Sequence, residues 1–273
     1  MKTTTLRLLS GFVLVLFAVP PLQAETQRVE GLEFSRVTVI GDVEVEIRQG
    51  DANELQLRGD ADDLAEQPFY VAGDTLVLGA NASRPETGLE GIKYKLTARE
   101  LRYLKLAGSG QVYMKPMQLD QANLVVEGSG DMKAFELEGR EITLAVSGSG
   151  DLQAASVVTR SLSLVMSGSG DIHVGKLQAE EVEVALRGSG DIGLEEPGTA
   201  ERIEVNIAGS GDVDLSLLAA PLAEVNIVGS GTGHVGEVES LEVNILGSGD
   251  VYYRGEPRVE RSVFGSGELH QSR

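Results

Sequence analysis

The chain has 273 residues, with 23 Lys+Arg against 42 Asp+Glu and a formal net charge of −19. An acidic balance of that size repels nucleic acid and anionic lipid, which removes both as direct partners. There is no cysteine, which excludes disulfides, thiolate metal sites, a cysteine nucleophile and a lipid-modified N-terminal cysteine.

Tryptophan is absent and aromatic residues make up only 4% of the chain, so a packed core must be built from Val, Ile, Leu and Ala. The scarcity of rings weighs against carbohydrate platforms and base-stacking surfaces.

Residues 1–24 read as a secretory signal peptide. Lys2 and Arg7 supply the positive end, Leu8 to Val19 the apolar segment, and Leu22-Gln23-Ala24 the cleavage site. That segment is short for a membrane span. Its removal leaves 21 Lys+Arg against 42 Asp+Glu, a net charge of −21. No second apolar segment follows, so the processed chain is expected to lie in the periplasm or outside the cell, with no membrane span.

From residue 25 to 107, Val37–Ile47, Glu54–Arg58, Phe69–Val71, Thr75–Leu78 and Tyr94–Thr97 read as strands between Gly and Asp turns. Ala80 to Gly91 reads as a loop, and no helix is expected after the leader. Gly41-Asp42-Val43 echoes a corner that dominates the rest of the chain.

That corner is Gly-Ser-Gly, which occurs nine times, starting at Gly108, Gly128, Gly148, Gly168, Gly188, Gly209, Gly229, Gly247 and Gly265. The period of 18–21 residues is the mark of a solenoid, in which each coil buries its apolar face only against its neighbours. Two, four and six residues before the motif stand aliphatic side chains, such as Val146, Leu144 and Ile142, repeated coil after coil. Period two puts them on one face of a strand, and their recurrence stacks them into ladders of a parallel sheet.

A second strand follows, with inward Val112, Met132, Leu152, Ile172, Ile192, Val213 and Val251. After a bend comes a third apolar row at Met117, Leu137, Val157, Leu177, Leu218 and Val238. Glycine suits the corner because a tight turn there needs positive φ or close backbone approach. The stacked serines are expected to satisfy corner amides.

The expected fold is therefore all-β: a parallel β-helix, right-handed by the usual crossover rule, forming one domain over residues 25–273. Residues 25–107 would be irregular coils, 108–267 the regular ones and 268–273 a tail. At about 4.8 Å per coil, nine coils make a rod roughly 40 Å long. In the last coil Arg261 replaces an aliphatic and Glu268 replaces an aspartate, which marks it as the C-terminal cap.

On the outward positions, Val125, Ala145, Val165 and Ala185 give way to Asn206, Asn226 and Asn244, which are placed to form an amide ladder. Tyr113, Lys133, Gln153, His173, Asp214, His234 and Tyr252 form a chemically mixed outward stripe.

The carboxylates Asp131, Asp151, Asp171, Asp191, Asp212 and Asp250 each follow a Gly-Ser-Gly directly. They are the candidate ligands for calcium, by analogy with glycine-rich calcium-binding turns. With one carboxylate per coil, an Asx-type role that accepts backbone amides is the competing reading. No copy of the motif carries the Gly-Lys-Ser/Thr of a phosphate loop. His173 and His234 occupy the same outward position three coils apart, too far to share a metal, and His270 falls in the expected tail. No serine has an evident histidine partner for a triad. No catalytic or cofactor-binding residue is assigned, and no cofactor beyond the calcium candidate.

The recurring corner, written Val-Asn-Ile-Ala-Gly-Ser-Gly-Asp-Val over Val205–Val213 and Val-Asn-Ile-Leu-Gly-Ser-Gly-Asp-Val over Val243–Val251, resembles the head GIN domain family of auto-transporter adhesins. The resemblance implies an exported bacterial β-solenoid engaged in surface contact or adhesion; the expected partner is an envelope protein or a surface glycan. It brings no catalytic or binding residues with it. An autotransporter would carry a C-terminal membrane barrel, whereas this chain ends soon after its last coil and reads as a free head. The functional expectation is a non-enzymatic structural or interaction module of the cell envelope. A carbohydrate-binding or carbohydrate-active β-helix and a calcium-stabilised scaffold are the two alternatives.

Overall fold

The computed structural model describes residues 25–84 and 91–272. The expected leader, and residues 85–90 of the expected loop, lie outside the described residues. The N-terminal part contains β1 (Glu25–Glu30), β2 (Arg36–Ile40), β3 (Glu44–Gln49), β4 (Glu54–Gly59), α1 (Ala61–Ala65), β5 (Phe69–Ala72), β6 (Thr75–Leu78) and β7 (Lys93–Ala98). The regular coils begin with β8 (Tyr103–Gly108), β9 (Gln111–Met114), β10 (Met117–Gly128), β11 (Asp131–Gly148) and β12 (Leu152–Gly168). They continue through β13 (Asp171–Gln178), β14 (Glu181–Gly188), β15 (Asp191–Leu194), β16 (Gly198–Thr199), β17 (Arg202–Gly209), β18 (Asp212–Leu215) and β19 (Leu218–Gly229). The last are β20 (Thr232–Gly247), β21 (Asp250–Arg254), β22 (Arg258–Gly265) and β23 (Leu269–Gln271).

The architecture is the expected β-solenoid. The regular coils lie parallel on one another, so that Leu124, Leu144 and Leu164 align and the first glycines of successive corners pair directly, with a register shift only between β20 and β21 after His234. Alternation along each strand sends Ile142, Leu144 and Val146 inward, and the second strand and third side add Leu152 and Val157. All of these are buried, and the buried residues form one continuous core from Phe34 to Val251. Sequestering each large aliphatic side chain contributes roughly 1.5–3 kcal/mol. Because successive coils share the same rows, no coil has a core of its own.

At the corners, the first glycine has positive φ, for example 145° at Gly168. The second needs glycine for a different reason: an added Cβ at Gly170 would overlap the carbonyl oxygen of Gly150 in the coil below. This close approach carries the inter-coil hydrogen bonds around the bend. Gly128 O accepts both Ser149 N–H (2.9 Å) and Gly150 N–H (3.0 Å), and Gly108 O accepts Ser129 N–H (3.0 Å) and Gly130 N–H (2.9 Å). The serine side chains are exposed, so the expected role for their hydroxyls is corrected. The Ser N–H groups of the corners donate instead to the glycine carbonyls of the coil below.

The N-terminal part departs from simple stacking. β2 lies between β6 and β8 and runs parallel to both, while β3 lies between β7 and β9. The first coil of the chain is thus enclosed by the second and third. Antiparallel strands complete this end: β5 pairs with β6, β4 with β7, and β1 with β4. Tyr94 on β7 is buried, donates to Pro68 O at 2.8 Å and accepts Gly79 N–H at 3.2 Å, pinning both ends of the β5–β6 hairpin. Burial pushes its phenol above the ordinary tyrosine range, so it stays protonated and able to donate.

Two expectations are corrected here. The segment Val37–Ile47 is two strands, broken where Gly41 turns with φ 84°. The chain also contains a helix beyond residue 24, α1, in which Leu64 is buried while Asp62 and Asp63 occupy the first turn. Five residues are too few to display a helical period.

Gly170→Ala should lower stability by about 3 kcal/mol or more, because backbone has to move. Ser169→Ala, one residue away and exposed, should stay within about 0.5 kcal/mol. Urea unfolding followed by circular dichroism distinguishes the two.

Candidate interaction surface

The aspartates after the corners have a definite job. Asp171 N–H donates to Asp151 Oδ1 (3.1 Å), Asp191 N–H to Asp171 Oδ1 (3.1 Å) and Asp212 N–H to Asp191 Oδ1 (3.2 Å). Thr232 N–H on Asp212 Oδ1 (3.0 Å) and Glu268 N–H on Asp250 Oδ1 (2.8 Å) repeat the contact. Each of these five carboxylates, Asp151, Asp171, Asp191, Asp212 and Asp250, therefore stands in for a backbone carbonyl where the chain leaves the corner, and it holds the next coil rather than its own turn. Where a coil offers Gln111 instead of Asp, the amide of Asp131 falls on Gly110 O at 3.1 Å. Among the described residues no group of three or more His, Cys, Asp or Glu side chains gathers as for a metal ion. The six calcium candidates are spread along one row, one to a coil.

The amide ladder forms as expected. Asn226 Nδ2 donates to Asn206 Oδ1 (3.1 Å) and Asn244 Nδ2 to Asn226 Oδ1 (3.0 Å). Each amide also reaches a glutamate on its own strand: Asn206 to Glu204, Asn226 to Glu224 and Asn244 to Glu242. These contacts orient a row of carboxylates on the outer face. Val125, Ala145, Val165 and Ala185 are half-exposed in the same row.

The mixed stripe is one continuous row. Tyr113, Lys133, Gln153 and His173 align coil by coil, Gly193 fills the next place, and Asp214, His234 and Tyr252 continue to His270. His173 and His234 are separated by two intervening coils. His270 is not in a free tail: β23 pairs with β21 and sets its ring on the stack. His234, Tyr252 and His270 stack face to face with centroids 4.8 Å apart at each step. The spacing is the inter-coil rise, so a parallel sheet stacks rings wherever consecutive coils supply them.

A second feature lies on the other side of the same corner. Immediately before Gly-Ser-Gly, Ala208, Val228, Leu246 and Phe264 align in register and point outward. Val228 is 54% exposed, Leu246 58% and Phe264 71%. Sequence reasoning passed over this row because it followed the inward positions. Its signal was there to be read, since the same place holds Glu127, Ser147, Ser167 and Arg187 in earlier coils. The last coils thus present an apolar row and an aromatic stack on the two faces that meet at one corner.

The remaining surface is shallow. A depression of about 340 Å3 on the third side brings together Gln49, Gln118, Glu136 and Glu138, with no basic residue in its lining. Among the described residues every buried side-chain nitrogen and oxygen has a hydrogen-bond partner, and no helix is long and apolar enough to cross a membrane.

A family model described as "Putative auto-transporter adhesin, head GIN domain" matches residues 33–195 and again 156–257. The chain belongs to that family. The overlapping matches reflect a pattern that can slide by whole coils. Among solved structures, the fold is similar to a "putative lipid binding protein" from Parabacteroides distasonis, with 25% identity and a TM-score of 0.68, covering 92% of this chain and 97% of that one. It is also similar to a "putative adhesin" from Parabacteroides merdae (18% identity, TM-score 0.68) and another from P. distasonis (19%, TM-score 0.63), each with the same coverage. Among curated proteins, none matches the chain.

Asp171→Ala should cost about 1–3 kcal/mol, since Asp191 N–H loses its acceptor, whereas Asp171→Asn keeps an acceptor oxygen and should cost less than half as much. Thermal melting of the two variants beside the parent checks the order.

Proposed function

We propose that the protein is an exported, non-enzymatic β-solenoid that serves as a structural or interaction module of the bacterial cell envelope. The observation that carries this reading is the rod itself. Its interior is built of aliphatic rows, its coils are even, and its aspartate and asparagine rows hold successive coils together. Such a body offers long outer faces for contact and little concavity in which to enclose a reacting group.

Membership of an adhesin-head family supports contact as the role, and the basic-then-apolar leader of residues 1–24 supports export. A similar protein carries the description "putative lipid binding protein". Here the core is built of continuous aliphatic rows, so the reading that fits best places an apolar ligand on the outside.

Labelled protein should bind isolated bacterial envelopes saturably, with unlabelled protein competing, and should leave a panel of purified polysaccharides at full length. Shortened glycans would replace this reading with an enzymatic one. Binding that fails to saturate would remove the interaction role.

A further inference from the structure

The third side of the solenoid begins at β10. There Met117, Gln118 and Leu119 pair with Leu137, Glu138 and Gly139 of β11 in the coil above. In the coil below, β3 still pairs with β9 as far as Met114, and Lys115 N–H donates to Ile47 O at 2.8 Å. Past that point the lower coil leaves the stack: β3 ends at Gln49 and the chain turns back into β4, antiparallel to β7. Among the described residues no strand therefore lies beneath residues 117–119. A strand edge left this way offers its N–H and C=O groups to any extended chain that reaches it.

The side chain of Gln49 lies on that edge. Its Oε1 accepts Gln118 N–H at 2.9 Å, and its Nε2 donates to Gln118 O at 3.1 Å. A primary amide carries the same donor and acceptor as a peptide group, so it satisfies the two groups a missing strand would have matched. The base of the side chain is fixed, because Gln49 pairs with Ala98 of β7 and Gly50 N–H donates to Ala98 O at 3.1 Å. Two residues before Gln118, exposed Pro116 has no N–H to offer. The depression that Gln49, Pro116 and Gln118 help to line opens on this edge, so the edge is reachable from solvent.

A related contact recurs at the far end. Gln271 ends β23, and its Nε2 donates to Gly255 O at 2.6 Å, two residues before Pro257. Among the described residues no strand pairs with residues 255–257. Other strands, such as β1 and β5, also have a free side. What sets the β10 edge apart is that a glutamine from another coil covers both main-chain groups of one residue.

We propose that Gln49 is an edge stopper. Its amide occupies the place of a strand at the start of the third side and keeps extended chains from pairing there. A second copy of this protein is the chain always at hand when the protein is concentrated.

Sedimentation velocity of the parent and Gln49→Ala over a wide concentration range tests the proposal. The variant should form species of higher mass that grow with concentration, beyond any the parent forms at equal concentration. The free sides of β1 and β5 are the same in both proteins, so the comparison isolates the β10 edge. Adding Gln118→Pro removes the uncovered N–H and should return Gln49→Ala to the parent's behaviour, a rescue that lost stability alone would not give. Asp171→Ala, which loses an inter-coil contact elsewhere, should sediment as the parent does. In hydrogen exchange at low concentration, the Gln118 amide should exchange at least about fivefold faster in Gln49→Ala than in the parent.

A Gln49→Ala protein that sediments as the parent at every concentration would overturn the proposal. Association that Gln118→Pro leaves unchanged, or that Asp171→Ala shows to the same degree, would overturn it too, since the route would not be this edge. An unaltered exchange rate at Gln118 would do the same, because Gln49 would then not be holding the amide.

Discussion

The structure depends on the close approach of backbone at each Gly-Ser-Gly corner. In a parallel solenoid the strands on flat sides pair without difficulty, but a corner tends to splay the coils and strand their amides. Here the first glycine turns with positive φ, the second leaves room for the carbonyl of the coil below, and the amides between them donate to that coil's glycine. The spacing between coils is thereby held through the bend, so the aliphatic rows on either side remain in van der Waals contact. The aspartate that follows extends the same logic by supplying a side-chain oxygen where no backbone carbonyl is well placed.

Several surface features are consequences of that fixed rise. Any residue type repeated on consecutive coils becomes a row at strand spacing, whatever its chemistry. Asparagines become an amide ladder, His234, Tyr252 and His270 a stack of rings, and Val228, Leu246 and Phe264 an apolar row. The solenoid behaves as a printing surface on which one substitution per coil writes a stripe. Diversity of contact within such a family can therefore arise at outward positions without disturbing the core.

Much of this was legible in the amino-acid order. The alternation before and after each glycine motif placed Ile142, Leu144, Val146, Leu152 and Val157 inward, and the structure buries all five. Period-based reading failed where the period itself fails. The enclosure of β2–β3 between later strands is invisible to it, because nothing in residues 36–49 states that their two neighbours come from 75–98 and 103–114. The five-residue helix was too short to register. The aspartates stand out in the sequence, but their partners lie 18–21 residues away and only the stacked coils bring the two together. The exposed apolar row was missed for a simpler reason: an outward aliphatic next to a glycine looks like the end of a core pattern.

Native-state hydrogen exchange resolved to single amides tests the central claim most directly. If corner contacts lock the coils, the Ser amides of the corners from Gly128 to Gly247, with those of Gly130, Gly150 and Gly211, should exchange as slowly as those of the buried strand positions beside them, all through one global opening. Fast exchange at those corner amides, with the flat strands still protected, would mean the coils are held by their sides alone and would contradict the account.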